Sequence, residues 1–251
     1  MADLGQSALA IGLIGGLGMT RVAVYDQRAA PDGQQSGCPH VHAICAESYY
    51  VLEGRGHVEL HDLERGMYCT ELETGTYLQF PPSVLHRIVS DDGLVILGIM
   101  SNAGLAENGD ARIYFGKETD TDPEAYQTAV GLVAKGLEGA LERRDLAVKG
   151  YLPLVRLWEE DREAYFEELK RFIDLHVKTV EADPDKYQPY IETGPKGWGR
   201  HTEELLRGGA RPTQTGGTPV THEMPVIRNT PGSTHHFGMC GILHPVKTDT
   251  L

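Results

Sequence analysis

Positive charge is scarce in this chain: 23 Lys and Arg against 36 Asp and Glu leave a formal net charge of −13 over 251 residues. Nucleic acids and anionic membranes reward basic patches, so neither is expected as a partner. Cysteine is also sparse. Four residues (Cys38, Cys45, Cys69 and Cys240) at irregular spacing do not make a disulfide framework, and a reducing cytoplasm is the expected setting. No apolar run reaches the length of a membrane span. Ala8 to Met19 is apolar, but it lacks the basic flank of a signal peptide and is rich in glycine. The length allows one large domain, or a domain with an extension, that buries a substantial core.

Helical periodicity is missing from the first half. From Arg21 to Phe115 short apolar runs (Val22 to Tyr25, Tyr49 to Leu52, His57 to Leu60, Tyr77 to Phe80, Arg87 to Val89, Leu94 to Met100) alternate with glycine, proline and acidic turn signals. Gly54-Arg55-Gly56 reads as a hairpin connection. Many short strands with no helix between them predict a sandwich or small barrel. The glycines of Gly12 to Gly18 suggest a phosphate loop, but Arg21 to Tyr25 after them reads as a strand where such a loop needs a helix. A flexible N-terminal arm or edge strand is the better expectation.

After Asp120 the pattern turns helical. Asp122 and Pro123 open a helix predicted to run to Leu141. Leu154, Trp158, Tyr165, Leu169, Phe172, Ile173, His176, Val177 and Val180 then recur at three- and four-residue steps. That stripe is expected to pack against the barrel or a second subunit, with His176 buried and hydrogen-bonded. From Asp183 the chain is rich in proline and glycine, yet it ends in an apolar run around Phe237 to Leu243 that needs cover. These two apolar surfaces lead to the expectation of a homodimer.

The chemistry concentrates in Gly37 to Glu47, Gly-Cys-Pro-His-Val-His-Ala-Ile-Cys-Ala-Glu, and in His86 further on. His40 and His42 are two apart, so on a strand both face the same way. Glu47 is five beyond His42, and an unbroken strand would send it to the opposite face. A bend or bulge between Ala43 and Ala46 is therefore required for it to join them. His86 is expected from a non-neighbouring strand of a folded-over sheet. Three imidazoles and one carboxylate suit one divalent ion, with positions left open for chemistry.

Two segments resemble the signature motifs of the cupin superfamily. The first is His40-x-His42, then Glu47, then a hydrophobic strand ending in Gly54-Arg55-Gly56; the second is Gly75, Pro81 and His86. Ser83 stands where that family usually has glycine, and Ser90 where it often has asparagine. The resemblance implies a mainly β fold: a cupin double-stranded β-helix (jelly-roll) barrel over residues 21–118, after an arm over 1–20. A helical extension over 119–182 and an irregular segment over 183–251 complete the chain. It further implies His40, His42, Glu47 and His86 as metal ligands, with one divalent ion per chain. Fe(II) or Ni(II) is favoured, with Mn, Co or Zn as alternatives.

Residues sharing a face with the ligands give Tyr49, Phe80, Ile88 and Met100 as an apolar lining. Tyr49 reads as a proton carrier or a packing aromatic. Cys38 and Cys45 lie close to the ligands in sequence, as metal-binding or spectator thiols. Trp198, Arg200 and His201 sit in the glycine-punctuated stretch Gly194 to Gly209, either a lid over the mouth or an ordinary surface loop. The expected function is an oxygenase (dioxygenase type) that uses O2 on a small organic acid. A non-redox isomerase or lyase, or a ligand-binding module, is the alternative.

Overall fold

The computed structural model describes residues 13–209 and 236–245. Its centre is a mostly antiparallel ten-stranded sheet. The strands are β1 (Gly18–Val24), β2 (Gln35–Ser36), β3 (His40–His42), β4 (Glu47–Asp62), β5 (Gly66–Glu73), β6 (Tyr77–Phe80), β7 (Leu85–Met100), β8 (Ala111–Ile113), β9 (His236–Phe237) and β10 (Gly241–Pro245). The main path runs β5-β4-β7-β1-β10-β9, with β2 and β3 also on β7, β6 on β4 and β8 on β3.

One ribbon organises everything else. β4 and β7 are 16 residues each and pair along their whole length, from Glu47↔Met100 to His61↔Leu85. The register shifts three times between Val51 and Gly56, where bulges sharpen the twist. Gly54-Arg55-Gly56 is therefore the fold line of a continuous strand, and the expected hairpin there is corrected. The glycines are needed for approach: a Cβ on Gly54 would lie 2.2 Å from Asp92 O, and one on Gly56 2.0 Å from Val89 O. The real hairpin lies between Asp62 and Gly66, where Asp62 Oδ1 accepts from the backbone of Glu64 and Arg65. Residues from both halves of the ribbon (Tyr49, Val51, Val58, Leu60, Ile88, Leu94 and Ile96) meet in one apolar cluster with Val22, Leu72 and Phe80.

Helices cover the outside: α1 (Lys117–Thr121), α2 (Pro123–Gly131), α3 (Leu137–Glu160), α4 (Arg162–Glu181), α5 (Gln188–Thr193) and α6 (Pro195–Glu204). Asp122 caps α2 as expected, but the helix stops at Gly131. A short 3-10 turn and Gly136, at φ 75°, separate it from α3. The Leu154–Val180 stripe is split as well. Asp161 takes an extended backbone and caps α4, so α3 and α4 form a helical hairpin. The faces of the two helices bury Tyr151, Leu154, Tyr165, Leu169 and Phe172 against Val41, Leu85 and Tyr114.

Two further expectations change. β1 starts at Gly18, inside the stretch read as an arm, and lies between β7 and β10. The segment after Asp183 is helical through α5 and α6, then contributes β9 and β10, with Val22 opposite Leu243. Both apolar surfaces that suggested a homodimer are thus covered within one chain. Among the described residues no helix is long and apolar enough to cross a membrane, and all four cysteines are free.

A buried polar chain fastens the helical hairpin to the sheet. Tyr165 donates to His61 Nδ1 (2.8 Å), His61 Nε2 faces Tyr151 Oη, and Tyr151 donates to Glu59 Oε2 (3.1 Å). Arg87, 1% exposed, completes it with ion pairs to Glu59 (3.2 Å) and Asp32 (2.7 Å). Burial lowers the His61 pKa to about 3, so the ring is neutral and each of its nitrogens has a partner. Replacing Arg87 with Met should leave two carboxylates uncompensated and cost about 3–5 kcal/mol in urea unfolding of the metal-free protein. A loss under about 1 kcal/mol would show that the network is not a fastening.

Candidate metal centre

His40 and His42 stand on β3, Glu47 opens β4 and His86 lies near the start of β7. The required bend is present, since β3 ends at His42 and the chain turns through Ala43 and Ile44 before β4 begins. Asp110 shapes that turn. Its carbonyl accepts from Ala43 N (3.1 Å) and its Oδ1 from Ile44 N (2.7 Å). His86 does not come from a distant strand, as expected, but from the neighbour of β3, paired directly opposite His40. The ribbon makes this possible: β7 is long enough to border β3 at one end and the start of β4 at the other.

One ligand atom from each of the four residues lies within 4.8 Å of every other, and all four side chains are buried. Nδ1 of His40 donates to Cys38 O (3.0 Å), Nδ1 of His86 to Val84 O (3.0 Å), and Nδ1 of His42 to Asp110 Oδ2 (3.1 Å). With Nδ1 committed to acceptors, the Nε2 lone pairs of His40 and His86 converge on Glu47. Nε2 of His40 and His86 are 3.1 Å apart; Glu47 Oε2 is 3.1 Å from His86 Nε2 and 3.4 Å from His42 Nε2. Buried ring nitrogens that face one another and a single carboxylate oxygen fit a cation. The donors also fit: imidazole and carboxylate suit a divalent transition metal.

Electrostatics agree on the charge. Burial alone would raise Glu47, but His86 and His42 hold it well below the usual carboxylate range. Asp110 is likewise held low against burial by His42 and the Ile44 amide. Two ionised carboxylates therefore flank the imidazoles. Burial opposes a charge on His42, yet Asp110 and Glu47 outweigh it and push its pKa up to about 9, while burial and the other histidines push His40 well down. In the metal-free centre a proton on His42 stands among these groups, where a divalent ion would sit.

Asp110 is absent from the sequence reading, since nothing in Gly109-Asp110 marks it 68 residues from His42. Its carbonyl also accepts from His176 Nε2, which burial keeps at a pKa of about 4. Cys240 was not foreseen either. Its Sγ lies 3.6 Å from His40 Nε2, whereas Cys38 packs with Ile113 and Phe115, and Cys45 with Leu105 and Tyr187.

The expected lining divides. Tyr49 and Ile88 are buried in the inner cluster, and the Phe80 ring is 4.7 Å from His86 and 5.4 Å from Tyr49. The Tyr49 hydroxyl faces Cys240 and Glu47. Met100 packs elsewhere, with Cys45, Leu105 and Tyr187 at the far end of β7. Gly194 to Gly209 is the helix α6 and a π-turn rather than a loop. Arg200 is exposed and paired with Glu192 (2.8 Å), and neither it, Trp198 nor His201 has a hydrogen bond or ion pair to the cluster among the described residues. A separate cleft of about 770 Å3, lined by Tyr114, Leu154, Leu157, Glu168 and Arg171, contains none of the ligands.

No protein-family model and no curated protein matches the chain. Among solved structures it is similar to CapF with the inhibitor 3-isopropenyl-tropolone, at 12% identity over 39% of this chain and 27% of that one, with a TM-score of 0.31. Streptomyces PAC13 with uridine gives 16% identity over 41% and 70%, with a TM-score of 0.30. A variant of Bacillus subtilis oxalate decarboxylase gives 18% over 46% and 29%, at 0.35. The chain thus spans under a third of CapF and of the decarboxylase. Scores this low carry neither fold nor chemistry across.

Because a metal must displace the His42 proton, divalent-ion affinity should rise at least about tenfold per pH unit between pH 6 and 8. Asp110→Asn should weaken binding by about 10–100-fold and flatten that slope. The sign in the metal-free protein is opposite: the stabilisation from charged His42 is complete below its ordinary pKa of 6.5 and is lost as pH rises through about 9. Calorimetric titration across this range checks both trends, and an affinity independent of pH would contradict them.

Proposed function

We propose that this chain is a metal-dependent enzyme of the cupin kind, acting as an oxygenase on a small amino, thiol or enediol acid, with Fe(II) or Ni(II) as the working ion. The convergence of three imidazoles and one carboxylate in a buried, mostly apolar interior carries this reading. When bound, the ion supplies Lewis-acid activation and one-electron chemistry. The protein's part is the surrounding shell. The Phe80 ring packs 4.7 Å from His86 and belongs to the same apolar cluster as Ile88 and Val51, and burial there strengthens the charge interactions of the site. Cys38 O, Val84 O and Asp110 fix the three rings. Among the described residues no lysine is buried where it could serve as a general base.

One observation favours the second reading, a non-redox isomerase or lyase. The Tyr49 side chain is fully buried, and burial, then Glu47 and Cys240 beside it, keep its hydroxyl well above the ordinary tyrosine range. A phenol held neutral beside Glu47 can offer a hydrogen bond to a bound substrate oxygen without redox chemistry.

Oxygen uptake by metal-loaded protein over a panel of thiols, amino acids and enediols separates the two. Iron- or nickel-loaded protein should consume O2 with at least one substrate class, and His86→Ala should lose both metal and uptake while staying folded. Turnover with zinc and no O2 consumption would move the assignment to Lewis-acid chemistry. Full metal occupancy in His86→Ala would remove the centre itself.

A further inference from the structure

We propose that His176, on α4, is a positioning residue for the metal centre: acting through Asp110, it holds His42 and the bend that delivers Glu47. The proposal rests on reading the four-residue cluster as a metal site. Strand alternation supplies its starting point. His40 and His42 point one way from β3, so Val41 between them points the other, into the cluster that α3 and α4 form with Leu85 and Tyr114. The helix α4 therefore lies against the back of the ligand strand. Tyr165, Phe172 and His176 follow one another along its buried face. Tyr165 donates to His61, the Phe172 ring is 4.8 Å from that of Tyr114, and His176 reaches Asp110.

Asp110 is where the helix meets the site. It is fully buried, and each of its polar groups is engaged. Its N donates to Leu105 O (3.1 Å), Oδ1 accepts from Ile44 N (2.7 Å) and Oδ2 from His42 Nδ1 (3.1 Å), while its carbonyl accepts from both Ala43 N (3.1 Å) and His176 Nε2. Burial keeps the His176 ring neutral, at a pKa of about 4, so it carries one N–H, and the carbonyl acceptor places that hydrogen on Nε2. The bond adds no charge to the centre; its effect is geometrical. Without it the Asp110 carbonyl keeps the Ala43 amide alone, and the carboxylate that turns His42 and braces Ile44 loses its tie to α4. The rings of His40 and His86 take their orientation from Cys38 O and Val84 O instead. Loss of the His176 donor should therefore disturb His42 and Glu47 while leaving the other two ligands in place.

The test uses the full chain and Co(II), whose visible bands report ligand geometry. His176→Leu removes the donor and keeps an apolar side chain at a buried position. It should bind Co(II) about three- to tenfold more weakly than wild type, with altered visible bands, a smaller loss than removing the direct partner of a ligand. His176→Gln, whose amide can present an N–H near the place of Nε2, should return both affinity and bands to within about twofold of wild type. In an Asp110→Asn background His176→Leu should cost less than about twofold, because the two residues act in series. If His176→Leu does not fold, His176→Met, which adapts better to a core, takes its place with the same expectations. Unchanged affinity and bands in the folded apolar variant, equal losses in that variant and in His176→Gln, or full additivity with Asp110→Asn would each overturn the positioning role and leave the metal centre standing. Failure of wild type to take up Co(II) would overturn the centre and this role with it.

Discussion

Three imidazoles and a carboxylate buried side by side pose a problem of charge, and much of this structure answers it. Isolated, each group would lose its hydration on burial at a cost of several kcal/mol. Here the rings are turned by acceptors on their far side, so their Nε2 atoms cannot relax toward other partners. A proton shared by His42 with Glu47 and Asp110 is one solution. A divalent ion is a better one, because it answers both carboxylates and the opposed lone pairs of His40 and His86 at once.

That arrangement depends on a single long ribbon. β7 can carry His86 beside His40 and also run past the start of β4 only because both strands continue through the bulge at Gly54 to Gly56. Two separate hairpins would have split the ligand set. The fold line also turns the two halves of the ribbon toward each other, which puts Tyr49 and Val51 in one cluster with Val58, Leu60 and Ile88. The helical hairpin outside presses on the segment that holds His86, through Leu85 and through the His61 to Arg87 polar chain. The C-terminal half is thus no detachable cover: β10 is a strand of the central sheet, and its turn reaches the site.

How legible this was follows from the range of each interaction. The four-residue cluster could be read because strand alternation is local: His40 and His42 share a face, and the odd step to Glu47 demanded the bend that the structure contains. The Ser83 departure was legible too, and falls where backbone sterics matter. Ser83 is the one non-glycine residue at positive φ (65°) among the described residues, and its amide donates to His42 O (2.8 Å). Gly54-Arg55-Gly56 was misread because a glycine bulge and a glycine turn have the same local composition, and only the partner strand distinguishes them. β5 was missed because its alternation is largely polar, with Leu72 its one fully buried hydrophobic side chain. Asp110 and Cys240 reach the site across 68 and 200 residues, and no periodicity encodes contacts of that span.

Anomalous X-ray diffraction from crystals grown with a divalent transition metal tests the central claim most directly. One anomalous peak per chain should lie among Nε2 of His40, His42 and His86 and a carboxylate oxygen of Glu47, within about 2.0–2.2 Å of each. The same four side chains with no peak between them, or a peak held by other residues, would contradict the assignment of this cluster as the metal centre.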